Sequence, residues 1–365
     1  MTWTVYLIRT ITGEVGSRID AVSGSWEITL NKTWTGSVTV KKNDLRKLGR
    51  EWWAPDSGGV LFTFTDPYGV ERPIIAGPIR GYPSETRTEL QLDFEDIRSI
   101  FDRRTVEQTL TYKNLALGTI AWELVLEAQR QKPGGDLPVV HGSPYETGTH
   151  QRTYEAWNLA NNGFGKRLTE LAGVINGPDI AFRPRWANST KTRIEWVLMH
   201  GTNMNPCIAQ SVVPDFDMTA PGAGVSSISM KSSADHMAQR VWATGAGEGA
   251  GVARTYAQDL RALRAWVPFT EKVISDTDQA DTNKLYEKAA GELRTSQAML
   301  DQVTFDIPAN NRQNLLGTFH VGDAANVNLS GWLSIQDGLK SMRLMKMSGS
   351  LDNEVTLDFQ EDEWA

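Results

Sequence analysis

Cysteine is nearly absent from this chain: Cys207 is the only one in 365 residues. It has no partner for an internal disulfide, and no cysteine-based structural zinc site can be built from it. Asn205-Pro206-Cys207-Ile208 reads as a packed thiol beside a turn rather than as a nucleophile. Long apolar runs are missing too, and nothing approaches the roughly 20 residues needed to cross a bilayer. Met1 to Arg9 alternates like a strand and lacks the basic-then-apolar layout of a secretory signal. Positive charge is in deficit, with 37 Lys and Arg against 44 Asp and Glu and a net charge of −7, which disfavours long-range attraction to DNA or anionic lipid. The one local basic stretch, Lys41, Lys42, Arg46, Lys47 and Arg50, contains Asp44 and no interleaved aromatic residue, so it reads as a solvated face or a protein contact. Of five histidines no two share a helical i, i+4 spacing, and neither His-Glu-x-x-His nor Gly-x-Ser-x-Gly occurs.

What is present is the makeup of a folded, contact-rich protein. Hydrophobic residues make up 40% and charged residues 22%, as in ordinary globular domains. The length exceeds what one core usually organises, so two or three domains are expected. Thirteen Trp residues favour extensive packing or interfaces. The most informative pattern is a near-repeat. Residues 70–96 and 338–362 each contain an apolar-rich strand, a polar turn (Pro83-Ser84-Glu85 or Leu351-Asp352-Asn353) and an alternating strand ending Leu-Asp-Phe. Leu92, Asp93 and Phe94 thereby match Leu357, Asp358 and Phe359. A β-unit used twice in one chain points to a part of a symmetric assembly more than to a catalyst.

The periodicities predict an α+β protein that is predominantly β. Residues 1–108 read as a small barrel or sandwich. Its strands are 25–30, 36–40, 60–65, 72–79 and 88–94, with turns at Asn31-Lys32 and Asp66-Pro67-Tyr68-Gly69. Pro73 and Pro78 predict that 72–79 is an edge or bulged strand. Residues 109–224 read as an α+β middle domain. One helix uses Leu117, Ile120, Ala121, Leu124, Val125 and Ala128 and ends at Lys132-Pro133; a shorter one uses Leu168, Leu171, Ala172 and Ile175. Residues 136–153 read as an exposed loop, and 180–184 and 193–198 as strands. Residues 225–365 return to β, with strands at 225–230, 240–244 and 302–307, the closing hairpin and an acidic tail. They also carry a helix over 281–300 using Leu285, Ala289, Leu293 and Leu300, with Asp276, Asp278 and Asp281 near its start.

Candidate chemistry is sparse. Gly245-Ala246-Gly247-Glu248-Gly249-Ala250 fits a loose dinucleotide fingerprint, but no helix follows it and Glu248 would oppose a pyrophosphate, so a hairpin connection is the reading. Asp276, Asp278 and Glu287 resemble part of a calcium loop whose glycine is replaced by Asp281, so helix capping is preferred. His141 and His150, with Asp136 and Glu146, form the best remaining place for a metal or acid–base site. Glu95-Asp96 stands for the carboxylate pairs that a glycosidase would need. None rises above an ordinary structural explanation. No catalytic, cofactor-binding or metal residue is assigned, and no cofactor is expected.

The run Val60–Asp66, Gly69–Ile79, Glu89–Phe94 and Ile97–Arg104 resembles the N-terminal part of minor tail proteins of long-tailed phages, especially those infecting actinobacteria. Residues 238–247, the helix 281–300, Gly317–Asp323 and Ser348–Phe359 are similar to the tail-tip hub family. That family includes the baseplate hub of contractile tails and the tail-associated lysin of siphophages. The resemblance implies a homotrimer whose subunits each carry two related β-barrel domains, giving a pseudo-sixfold ring that matches a hexameric tail tube. It implies as partners the distal tail protein, the tape measure protein and other tail-tip or fibre proteins, with no sequence-specific nucleic-acid binding and no membrane anchor. It also implies assembly in the host cytoplasm and a final place at the virion tail tip. The chain stops within a few residues of its closing strand, so no appended lysin domain is expected and the protein is read as a structural component, not an enzyme. The alternatives are a virion-associated glycan-processing enzyme and a host-receptor binding module.

Overall fold

The computed structural model describes residues 2–361 except 158, 175, 220–223, 226, 236, 266, 277–278 and 297–299. The expected positions of Ile175, His236 and Asp278, part of the 225–230 strand and the end of the acidic tail therefore lie outside the described residues. The chain forms two compact units: Met1–Ser229 with Thr304–Trp332 and Gln336–Ala365, and Met230–Val303 with Leu333–Ile335.

In chain order, β1 (Thr2–Arg9), β2 (Val15–Ile19), β3 (Ala21–Thr29) and β4 (Thr35–Lys41) lead into α1 (Lys42–Leu45). Next come β5 (Gly58–Thr65), β6 (Glu71–Gly81), β7 (Glu89–Glu95) and α2 (Arg98–Asp102). The middle segment holds β8 (Leu110–Leu115), α3 (Leu117–Arg130), β9 (Val139–His141), β10 (Thr147–Tyr154), α4 (Phe164–Ala172), β11 (Ile180–Trp186), β12 (Ile194–His200) and β13 (Asp215–Asp217). After β14 (Ser227–Ser233), the second unit contains β15 (Arg240–Thr244), β16 (Arg254–Gln258), β17 (Glu271–Ser275) and α5 (Thr282–Thr295). The chain closes with β18 (Leu300–Pro308), β19 (Ala324–Leu329), β20 (Gly338–Ser350) and β21 (Glu354–Glu361). The protein is thus a predominantly β, α+β fold.

The near-repeat is matched in how its first strand bridges two partners, but not in its placement, since β20 of one hairpin and β7 of the other border the shared hairpin. The first part of β6 pairs with β5 and its last residues with β7; the first part of β20 pairs with β19 and its later part with β21. Leu90, Leu92 and Phe94 on β7 are buried, as are Val355, Leu357 and Phe359 on β21, while Asp93 and Asp358 face outward. The two hairpins flank one shared hairpin, in the order β21-β20-β3-β4-β7-β6. Met347 is opposite Ile28, and Val38 is opposite Leu92. Gly36 opposes Phe94, and a Cβ there would come within 2.2 Å of the ring, so only glycine lets β4 and β7 close over that side chain. Among the described residues these pairings form an open path with a branch at β19, not the closed barrels expected from sequence.

Other expectations are refined by packing. β6 is an interior strand, not an edge; a register shift where Phe62 and Thr63 meet Ile75 and Pro73 is the bulge that accommodates proline in a ladder. β5 is buried along almost its whole length rather than on alternate residues, because both of its faces are covered. Leu61 and Ala76 belong to a core with Phe101, Ile120, Leu124, Phe164, Leu168 and Trp196. The predicted apolar face of α3 is buried in that core. Trp196 also donates its indole N–H to the Ala76 carbonyl at 3.1 Å. Residues 136–153 are not a loop throughout: β9 pairs in parallel with β12, and β10 pairs with β8. Leu300 belongs to β18 and not to the helix.

In the second unit β15 lies between antiparallel β16 and parallel β17. α5 covers one face, burying Leu285, Ala289 and Leu293 with Val241, Ala243 and Ala257. Asp281 caps α5, its carboxylate accepting the Asn283 N–H at 2.9 Å.

Phe94→Ala and Phe359→Ala are expected to destabilise the protein alike, each by about 3–5 kcal/mol, whereas Asp93→Ser, at the half-buried repeat position that accepts a bond from Gln91, costs about 1 kcal/mol. Urea unfolding of the three variants checks this, and strongly unequal losses for the two phenylalanines would break the equivalence of the hairpins.

Candidate functional site

The alternation that buries Leu92 and Leu357 turns hydroxyl, amide and carboxylate groups outward on the other side of the same strands. These groups line a concave face of about 990 Å³ shared by β3, β4, β6, β7, β20 and β21. Gln91 donates to the Ser37 hydroxyl at 2.8 Å and to Asp93 at 3.2 Å. Lys346 pairs with Glu27 at 2.8 Å across β20 and β3. Arg80 binds Glu95 at 3.0 Å and shares Asp56 with Arg103. Burial pushes the Asp56 carboxyl up, but the Arg103 and Arg80 guanidiniums outweigh it and hold the group below its ordinary range. The surface is therefore of mixed polarity, hydrogen-bonded and tied from each repeated hairpin to the shared one, which suits a preformed contact face rather than a catalytic cleft.

Beneath the shared hairpin lies a buried polar knot. Asn31 takes φ 61° in the turn between β3 and β4, a conformation asparagine tolerates. Its side chain accepts the Ile180 N–H at 2.8 Å and donates to Asp179 at 3.1 Å. Asp179 also pairs with Arg343 of β20, and Arg183 of β11 reaches Asp323 at 3.2 Å. These contacts tie the N-terminal hairpin, the middle strands and the C-terminal repeat to one place.

His141, one of the two histidines singled out from sequence, lies at the end of β9. Its partner is His200, at the end of β12, with Nε2 to Nε2 at 2.8 Å. His200 Nδ1 lies 2.8 Å from the Gly201 carbonyl, which can only accept, so Nδ1 carries the proton and Nε2 is the acceptor. His141 therefore donates from Nε2. Trp122 of α3 stacks on His141 at 4.8 Å with 3° between planes. Gly118 makes room, since a Cβ there would fall 2.1 Å from His200 Nδ1. Burial, reinforced by the neighbouring His200, pushes His141 from 6.5 down to about 4, and burial also lowers His200. Both rings are neutral at pH 7 and satisfy one another.

The remaining sequence candidates disperse. Glu146 uses its carboxylate on the Asn203 N–H at 2.9 Å and its carbonyl on Thr119. His150 lies on β10 beside Asn203, and Asp136 acts on Arg104. No group of three or more His, Cys, Asp or Glu that could hold a metal occurs among the described residues. Glu95, the last residue of β7, meets Arg80 outside, whereas Asp96 just beyond the strand is buried and burial drives its carboxyl well up. Asp276 pairs with Lys288 of α5 rather than forming a calcium loop. Gly245–Gly251 connects antiparallel β15 and β16, and Gly245 donates to the Ala253 carbonyl at 2.7 Å, so it is the expected hairpin connection. In the basic stretch Lys42 pairs with Glu85 and Lys47 with Asp44, and Arg46 donates to the Asn43 side chain. Sequence reasoning missed His200, 59 residues from its partner, because only the parallel pairing of β9 with β12 brings the two rings together.

Two predictions follow from this chemistry. His141 binds protons less readily folded than unfolded, so its contribution is complete above about pH 6.5 and is lost as pH falls toward 4. The melting temperature of wild type should fall over that window more steeply than that of His141→Gln, in matched thermal scans. Arg343→Ala strands the Asp179 carboxylate and is expected to cost about 3–5 kcal/mol, read from urea unfolding; a loss under about 1 kcal/mol would remove the knot from the stabilising contacts.

No family model and no curated protein matches the chain. Solved structures do. A tail protein of Neisseria meningitidis superposes with a TM-score of 0.61 at 14% identity, covering 99% of this chain and 97% of that one. The 43 kDa tail protein of prophage MuSo2 from Shewanella oneidensis gives 0.57 at 10% identity, with 98% of each chain covered. An Escherichia coli component of the type VI secretion system, described as structurally similar to tail proteins of bacteriophage T4, gives 0.50 at 11% identity over 95% of this chain and 74% of that one. Over nearly its whole length, the chain has the fold of these phage tail and secretion-system proteins.

Proposed function

We propose that this protein is a structural hub at the tip of a phage tail, assembled as a homotrimer in which the two β-units of each subunit produce a pseudo-sixfold ring. The observation that carries the reading is the recurrence of one β-unit, β6–β7 and β20–β21, on either side of a shared hairpin. Three copies of a chain that uses one β-unit twice present six such units, which is how a trimer meets a sixfold tube. The fold likeness to tail proteins over nearly the full chain supports the same reading. In this arrangement the distal tail protein sits on one side of the ring, fibres or a spike on the other, and the tape measure protein passes through it. Open strand edges, an aggregation hazard in an isolated chain, are covered by neighbouring subunits, and such obligate contacts bury on the order of 2,000–5,000 Å². The role is mechanical and requires no catalysis, and its place is the virion.

Mass photometry of the purified protein is expected to give a species at three times the 40.5 kDa chain mass. Negative-stain class averages of that species should show six lobes around a centre. A stable monomer across micromolar concentrations, both alone and with the distal tail protein, would sink the hub reading.

A further inference from the structure

The second unit carries an exposed face on the side opposite its core. With α5 packed on one side of the β16-β15-β17 sheet, the opposite side presents three cross-strand rows. One is planar and polar, Gln258–Arg240–Glu271; the next is Tyr256–Trp242–Val273; the third is Arg254–Thr244–Ser275. Phe269, two residues before β17, lies on the other side of the polar row, against Arg240. Tyr256 is 42% exposed, Phe269 41% and Val273 65%, a large apolar display for so small a sheet.

The charge of the polar row is already matched, and Arg254 stays exposed at one end of the face. The Arg240 guanidinium lies 4.8 Å from the Tyr256 ring centroid, 5.0 Å from Phe269 and 5.7 Å from Trp242. It donates to Gln258 at 2.9 Å and to Glu271 at 3.1 Å. Glu271 also accepts the Trp242 indole N–H at 2.9 Å. Arginine here acts as a rigid strut that fixes the ring planes, and an anionic ligand would find its positive charge already matched by Glu271. The rings of Trp242 and Tyr256 sit 4.8 Å apart on paired strands with 54° between their planes, so a ligand ring lies on one or the other and not across both.

Area selects among uncharged occupants. Three five-residue strands spaced about 4.8 Å, each residue rising about 3.3 Å, make a face of roughly 230 Å². A stable protein interface takes about 800 Å² from each partner, so this face is too small to hold a protein by itself. It suits a ligand of two or three sugar rings. The C–H faces of a pyranose lie on aromatic rings, whose π-faces are negative, and its hydroxyls meet planar amide and carboxylate groups such as those beside Tyr256. We propose that the exposed face of the β16-β15-β17 sheet is a binding site for an uncharged oligosaccharide, with Tyr256 and Trp242 as the platform and Gln258 and Glu271 as hydroxyl partners. This site is independent of the trimeric hub and can fail or hold without it.

The test is saturation-transfer NMR and intrinsic tryptophan fluorescence titration of the full chain against four probes: maltotriose, cellotriose, chitotriose and a β-1,4-galactotriose. At least one probe is expected to saturate, with Tyr256→Ala weakening it tenfold or more. Val273→Glu, at the most exposed of the three positions, is expected to weaken it likewise while leaving the circular dichroism spectrum and melting temperature unchanged. Absence of saturation by all four probes overturns the site. So does binding that both variants leave intact, and so does finding that the face is covered by another protein chain in the assembled particle.

Discussion

The structure depends on one hairpin being hydrogen-bonded on both of its outer edges. β3 and β4 have β20 on one side and β7 on the other, so both repeated hairpins find an edge partner in the one shared hairpin, one through its first strand and the other through its second. A strand edge left open is costly in solubility and specificity, and here a nine-residue and a seven-residue strand satisfy both repeats at once. The side chains enforce the arrangement. Trp26 and Ile28 from β3 and Val38 and Val40 from β4 are buried on the same sheet as Phe94 and Phe359. Beneath it, Asn31 and Asp179 convert the turn into a hydrogen-bonded junction with the middle segment.

A protein built this way gains rigidity where an assembly component needs it. The ends of the chain meet in one sheet although hundreds of residues separate them, so local fraying of one repeat is resisted by the other. The polar concave side of the sheet is held by side-chain bonds of its own, such as Gln91 to Ser37 and Lys346 to Glu27. Surfaces of this kind bind by prior order, because little side-chain freedom remains to be lost on contact. The second unit follows a different plan, with one helix on one face of three short strands and its aromatic residues on the other.

Much of this was legible in the residues themselves. Period-two alternation located β1, β3, β7 and β21, and the spacing of Leu117, Ile120, Leu124 and Val125 located α3. Asn31, Asp66-Pro67-Tyr68-Gly69 and Asp281 marked turns and a cap through local chemistry alone. Errors arose where long-range packing overrides local pattern. β5 alternates in sequence yet is buried on both faces, since the middle segment covers its second side. The polar composition of 136–153 concealed β9 and β10, whose partners β12 and β8 lie far away or across a helix. His141 was visible as a candidate, but its meaning was not, because His200 arrives through a parallel strand pairing.

By itself the sequence determined the class of the fold, the existence of two matching hairpins, most helix faces and the lack of any strong catalytic signature. These are properties of periodicity and local backbone preference, which act over a few residues. Only the tertiary structure decided that the two hairpins share one central partner, that Asp96 turns inward while Glu95 turns outward, and that Arg240 gathers three rings on one face. Each of those depends on strand register, and register is settled by the simultaneous burial of distant side chains, a quantity no short window of sequence contains.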